Sequence, residues 1–123
     1  MMIPQQTKSV AIIDIDIFNE LKQLFIDDDP EEFEEIIEDF LNNTHTVLAQ
    51  IKQAIITQDR PTIRILAHTL KSTLASFGAL SLTELCTAIE AKSNSDAFSA
   101  LSFKVEKMQQ QYQQLCLVIH EIN

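Results

Sequence analysis

One glycine in 123 residues constrains this chain more than any other feature. Average usage of about 7% would supply roughly nine. Phosphate-cradling loops and dinucleotide turns each need two or more glycines, so neither can form. A hairpin-rich β fold is disfavoured for the same reason, because tight hairpin turns need residues with positive φ. The chain is nevertheless 46% hydrophobic. That is enough to pack a core and too much for a disordered chain, and the length suits one domain.

Apolar spacing then selects helices from Asp16 onward. Ile13-Asp14-Ile15-Asp16-Ile17 alternates like a strand, but so short a segment has nothing to pair with. Residues 1–13 are therefore read as an N-terminal tail or a short docking segment, and 14–123 as the folded domain. The first helix is expected over Asp16 to Ile26, with Phe18, Leu21, Leu24 and Phe25 inward. Asp29-Pro30-Glu31-Glu32 is the clearest helix start: an N-cap acid, a proline at the first position, and carboxylates at the positive helix end. The acidic run from Asp27 lacks the glycine and the acid spacing of a calcium loop. The stripe that follows is Phe33, Ile36, Ile37, Phe40, Leu41, Thr44, Val47, Leu48, Ile51 and Ile55, one amphipathic face with a kink expected at Asn42-Asn43-Thr44.

Asp59 and Pro61 open a third segment with core positions Ile63, Leu66, Ala67, Leu70, Leu74 and Phe77, and Gly78 falls where a helix C′ residue turns left-handed. Ser81-Leu82-Thr83-Glu84 reads as a capping box before Leu85, Cys86 and Ile89. Ser95 or Asp96 caps a last helix carrying Phe98, Leu101, Val105, Met108, Tyr112, Leu115 and Ile119. Four long amphipathic helices with short connections predict an all-α, antiparallel four-helix bundle, with an additional short N-terminal helix over one end. Each apolar stripe can be satisfied within one chain, so a monomer is expected.

Charge narrows the partners. Nine basic against 18 acidic residues give a net charge of −9, which argues against binding nucleic acid or an anionic membrane surface. No run of about 18 apolar residues is present to span a bilayer. The first ten residues lack the apolar core of a signal peptide. A cytoplasmic location follows as the expectation, and Cys86 and Cys116 read as buried free thiols.

The chemistry falls to the histidines. Residues three before His45, His68 and His120 are Asn42, Ile65 and Leu117. The Glu-x-x-His pairs of a bundle di-metal site are therefore missing, and no zinc-protease motif is present. His45 and His120 read as ordinary surface histidines. His68 differs. At 100° per residue it lies about 160° from both Leu66 and Leu70, pointing away from the core. Arg64 and Lys71 flank it on the same face, with Ser72 and Ala75 on its C-terminal side. A basic, open spot on an acidic protein would stabilise a negative group delivered to the imidazole.

The segment Ala67-His68-Thr69-Leu70-Lys71-Ser72-Thr73-Leu74-Ala75-Ser76-Phe77-Gly78-Ala79 resembles the signature of histidine-containing phosphotransfer (HPt) domains. Leu70, Lys71, Phe77 and Gly78 fall in register with that signature, and the single glycine lands on the family's second glycine. The Asp-Pro-Glu-Glu-Phe helix start and the Leu85-Cys86 and Ile89-Glu90 pairs are also similar, so the likeness spans roughly 14–118. Ser72 departs from it, standing where the family has glycine, and implies less clearance for a partner.

The resemblance implies a phosphorelay carrier. His68 would accept a phosphoryl group from a receiver aspartate or a kinase and pass it to a response-regulator receiver domain. Nε2 would be the attacking atom, and Lys71 and Arg64 would hold the phosphoryl oxygens. Ile65, Ser72 and Ala75 would form the docking surface. No cofactor is expected on this chain; Mg²⁺ would belong to the receiver. The other partner would be a sensor or hybrid histidine kinase. The competing reading is an adaptor that binds a receiver domain without transferring phosphate.

Overall fold

The computed structural model describes residues 11–26 and 29–123, so residues 1–10 of the expected tail, with Asp27 and Asp28, lie outside it. Five helices follow in order: α1 (Ile15–Ile26), α2 (Pro30–Ile56), α3 (Arg60–Ser76), α4 (Leu80–Lys92) and α5 (Phe98–Ile122). Helices α2 to α5 pack in a ring, each against its neighbours in sequence, with α5 closing back on α2. This is the expected antiparallel four-helix bundle, with α1 as the additional helix.

The alternating Ile-Asp segment is a helix start and no strand. The Asp14 carboxylate accepts from the backbone N–H groups of Asp16 (2.9 Å) and Ile17 (3.2 Å). It thereby satisfies two donors that the first helical turn leaves open. Asp29 caps α2 by accepting from Glu31 N–H at 3.0 Å, with Pro30 at the first position. Helix α2 runs through Asn42-Asn43-Thr44 without interruption. The buried Thr44 hydroxyl donates back to the Phe40 carbonyl at 2.8 Å, so the helix supplies its own partner for that polar group.

Helices α2 and α5 outrun the α3–α4 pair. Phe40 stacks on Phe77 with ring centroids 3.9 Å apart, marking the level at which α3 ends. Beyond it, α1 covers the projecting end of α2. Phe18 meets Phe33 edge-on at 5.5 Å, and Phe25 lies 5.7 Å from the same ring. Such pairs bury large apolar area with specific geometry. Leu24, expected inward, is 71% exposed, because α1 turns only the Phe18, Leu21 and Phe25 side to the bundle.

The ends of α4 and α5 differ from the sequence expectation. No side-chain cap hydrogen bond forms at α4, whose N-cap is Ala79. Ser81 lies inside the helix and is buried, so it cannot serve as the capping-box serine. Its backbone N–H is satisfied instead by the Ala11 carbonyl at 3.1 Å, while Asp14 N–H donates to the Gly78 carbonyl at 2.7 Å. Residues 11–14 thus strap the α3–α4 turn, and Ile13 is buried beneath them. At α5 the N-cap is Ala97, with no side-chain cap hydrogen bond. The Asp96 carboxylate accepts from Lys104 at 2.8 Å instead.

Candidate functional site

Helix α3 presents two faces with different fates. Ile63, Ala67, Leu70 and Leu74 are buried, Leu66 is half-buried against the same core, and the opposite face carries His68. The helix is fixed at its N-terminus by the Asp59 carboxylate, which accepts from Thr62 N–H at 3.2 Å and from the Thr62 hydroxyl at 2.6 Å. Arg60 ties the same end to the α4–α5 turn. Its guanidinium donates to the carbonyls of Ser93 and Asp96, each at 2.8 Å, and lies 4.0 Å over the Phe98 ring. At the far end Gly78 adopts φ +79°. A Cβ there would come within 2.9 Å of the Asp14 carbonyl oxygen, so this turn needs glycine for clearance as well as conformation.

On that frame, α3 and α4 bring three ionisable side chains together. The Glu90 carboxylate, from α4, lies 2.7 Å from His68 Nδ1 through one oxygen and 2.7 Å from Lys71 Nζ through the other. The His68 side chain is 62% exposed, whereas Lys71 and Glu90 are largely covered. Hydrogen bonds from Lys71 and then His68 hold the Glu90 carboxyl below the usual carboxylate range, against the opposing effect of desolvation. An ionised carboxylate can only accept. In a neutral imidazole facing it, Nδ1 must carry the hydrogen and Nε2 the lone pair. Nε2 has no hydrogen-bond partner among the described residues.

The sequence candidates therefore separate. Lys71 stands beside His68 and is joined to it through Glu90. Arg64 is exposed one turn earlier and makes no ion pair among the described residues. Ile65 is 54% exposed, and Ser72 and Ala75 are exposed on the same helix. Glu90 is the participant that sequence reasoning did not single out. The α4 stripe of Leu82, Cys86 and Ile89 sets its helical phase. The pairing itself needs α4 docked antiparallel on α3, which no local signal in the sequence conveys.

The other reactive groups do not join this constellation, although Cys86 lies near enough to feel the charges of Lys71 and Glu90. Cys86 is fully buried, and burial pushes its thiol up to about 12, so it is no nucleophile at neutral pH. Cys116 is only half-buried and also free. His120 Nδ1 bonds the Cys116 carbonyl at 2.7 Å within its own helix. His45 is exposed on α2 beside the Tyr112 ring. No group of His, Cys, Asp and Glu able to hold a metal ion occurs among the described residues. No helix among them is long and apolar enough to cross a membrane.

An exposed imidazole with a free Nε2, a fixed tautomer and an adjacent ammonium can act as a nucleophile toward an anionic electrophile. Comparison with known proteins agrees with that chemistry. A family model described as the Hpt domain matches residues 20–117. No curated protein matches the chain.

Proposed function

Because the chain belongs to the Hpt domain family, whose members transfer phosphoryl groups through histidine in two-component phosphorelays with receiver domains and histidine kinases, we propose that His68 is its phospho-acceptor. The chain then carries phosphate in the cytoplasm as a monomer, between a receiver aspartate or kinase and a response-regulator receiver domain. The observation that carries the reading is the Glu90 contact to Nδ1, which leaves Nε2 as the unprotonated, outward nitrogen.

In the transfer, the Nε2 lone pair attacks phosphorus in line. The bond from phosphorus to the aspartate oxygen breaks, and its electron pair stays on the receiver carboxylate. Lys71 neutralises charge on the phosphoryl oxygens as it moves, with Arg64 one turn away as the second cation. The Mg²⁺ that this chemistry uses is supplied by the receiver. Ile65, Ser72 and Ala75 form the surface on which the receiver sits. Small side chains at 72 and 75 allow close backbone approach, and Ile65 offers apolar area to bury.

The test is transfer of labelled phosphate from a phosphorylated receiver domain to the wild type and to His68→Gln. Acid-labile, alkali-stable label on the wild type alone is expected. Absence of label on the wild type, with receivers that load another histidine phosphotransfer domain, would leave the non-transferring adaptor as the better reading.

A further inference from the structure

We propose that Glu90 keeps the Nδ1 proton on the His68 ring throughout the phosphorylated state. The carrier then holds its phosphoryl group on an imidazolium and releases it without waiting for a proton. The inference rests on His68 being the acceptor and concerns what happens after the group arrives.

Proton bookkeeping makes the point. Attack by Nε2 leaves the ring with its Nδ1 hydrogen, a bond to phosphorus and a formal positive charge. Two fates are open. If the proton escapes to water, the product is a neutral phosphoimidazole. Breaking its nitrogen–phosphorus bond would expel imidazolate, a very poor leaving group, unless a proton returned first. If the proton stays, the same bond breaks with its electron pair returning to Nε2, and neutral imidazole departs. Retention makes loading and discharge proton-neutral.

The groups around the ring decide between these fates. On α3, the cations Arg64 and Lys71 disfavour a positive ring. On α4, the ionised Glu90 carboxylate lies 2.7 Å from Nδ1, a distance typical of a charge-assisted hydrogen bond. Cys86 also lies on α4, but it is buried and stays neutral. From α2, no charged side chain pairs with the ring among the described residues. The Lys71 ammonium, shared with Glu90 before phosphorylation, is drawn toward the phosphoryl oxygens once they arrive. That leaves more of the carboxylate's charge for the ring. Glu90 is thus a positioning residue before transfer and a proton-retaining one after it.

The experiment uses the full chain phosphorylated with phosphoramidate, or by a labelled receiver domain. It reads nitrogen-15 NMR of the phosphohistidine ring and the lifetime of the phosphohistidine across pH 6–9. In the wild type, Nδ1 is expected to give the shift of a protonated nitrogen at pH 8. In Glu90→Gln the Lys71 ammonium claims the amide oxygen and turns the NH₂ toward Nδ1. The ring should then lose its proton about one pH unit lower, and phosphohistidine should outlive the wild type about two- to fivefold at pH 8, where the wild-type ring is still largely protonated, and by more at pH 9. Glu90→Ala, which offers the ring neither donor nor acceptor, should shift in the same direction. A deprotonated Nδ1 in the phosphorylated wild type at pH 7 would overturn the proposal. So would identical titration and lifetime in wild type and variants. No phosphohistidine on the wild type from either donor would instead overturn the acceptor reading on which it stands.

Discussion

Glu90 serves two neighbours at once, and each can be removed separately. Lys71→Ala takes away the ammonium but leaves the Nδ1 contact. Transfer from a receiver should slow by about a hundred- to a thousandfold, the range for losing one charge-stabilising donor, while the label stays on His68 with unchanged acid lability. Rapid-quench transfer kinetics would show this, and an unchanged rate would remove Lys71 from the transition state. The same carboxylate links stability to pH. Its carboxyl is held below the ordinary carboxylate range in the folded chain. Its contribution is therefore complete above the unfolded-state value and is lost as pH falls through the lowered folded value. Wild type should be more stable than Glu90→Gln at neutral pH, and the gap should close on acidification. Urea midpoints measured from pH 7 down to pH 3 would test this, and a gap that widened in acid would contradict it. At this scale the outward placement of His68 beside Lys71 was legible from helical phase, and their expected roles came from the resemblance of the surrounding segment. Glu90 was not, because its role depends on a contact across 22 residues of chain.

The helix ends show where local sequence decides structure and where it does not. Asp29-Pro30 and Asp59-Arg60-Pro61 act as written, since a carboxylate cap and a proline at the first turn need only their own neighbours. Gln58, two residues past the end of α2, has φ 59°, a left-handed conformation that costs a side-chain-bearing residue free energy. Gln58→Gly should therefore stabilise the protein by about 0.5–1 kcal/mol, less than the full strain because glycine also gains freedom when unfolded. Gly78 is the opposite case: Gly78→Ala combines the left-handed φ with a clash against the Asp14 carbonyl. It should destabilise by about 1–3 kcal/mol and loosen residues 11–14. Chemical denaturation measures both, and hydrogen exchange at Ser81 N–H would report the strap directly. The expected capping box at Ser81 fails for a tertiary reason, because the donor it would have satisfied is already taken by Ala11.

For the molecule as a whole, the strap and α1 close the end of the bundle that α2 and α5 leave projecting. Ile13 anchors that closure and is 7% exposed. Ile13→Ala should cost about 2–4 kcal/mol, as for other buried large-to-small changes. His68 should remain phosphorylatable below the unfolding transition, because the closure holds α3 and α4 at their connecting turn, whereas His68, Lys71 and Glu90 bond one another and not the strap. A variant that stayed folded yet lost its label would show that the closure reaches the site.

The sequence by itself determined the helical class, the bundle, most of the core stripe and the outward face of His68. Each of these follows from apolar periodicity along a single helix and from the scarcity of glycine, information carried within a few turns of chain. Only the tertiary structure decided which carboxylate meets the imidazole, which carbonyl satisfies the start of α4, and that Leu24 faces solvent. Those outcomes depend on how one helix lies against another, and no pattern confined to one element encodes that registration.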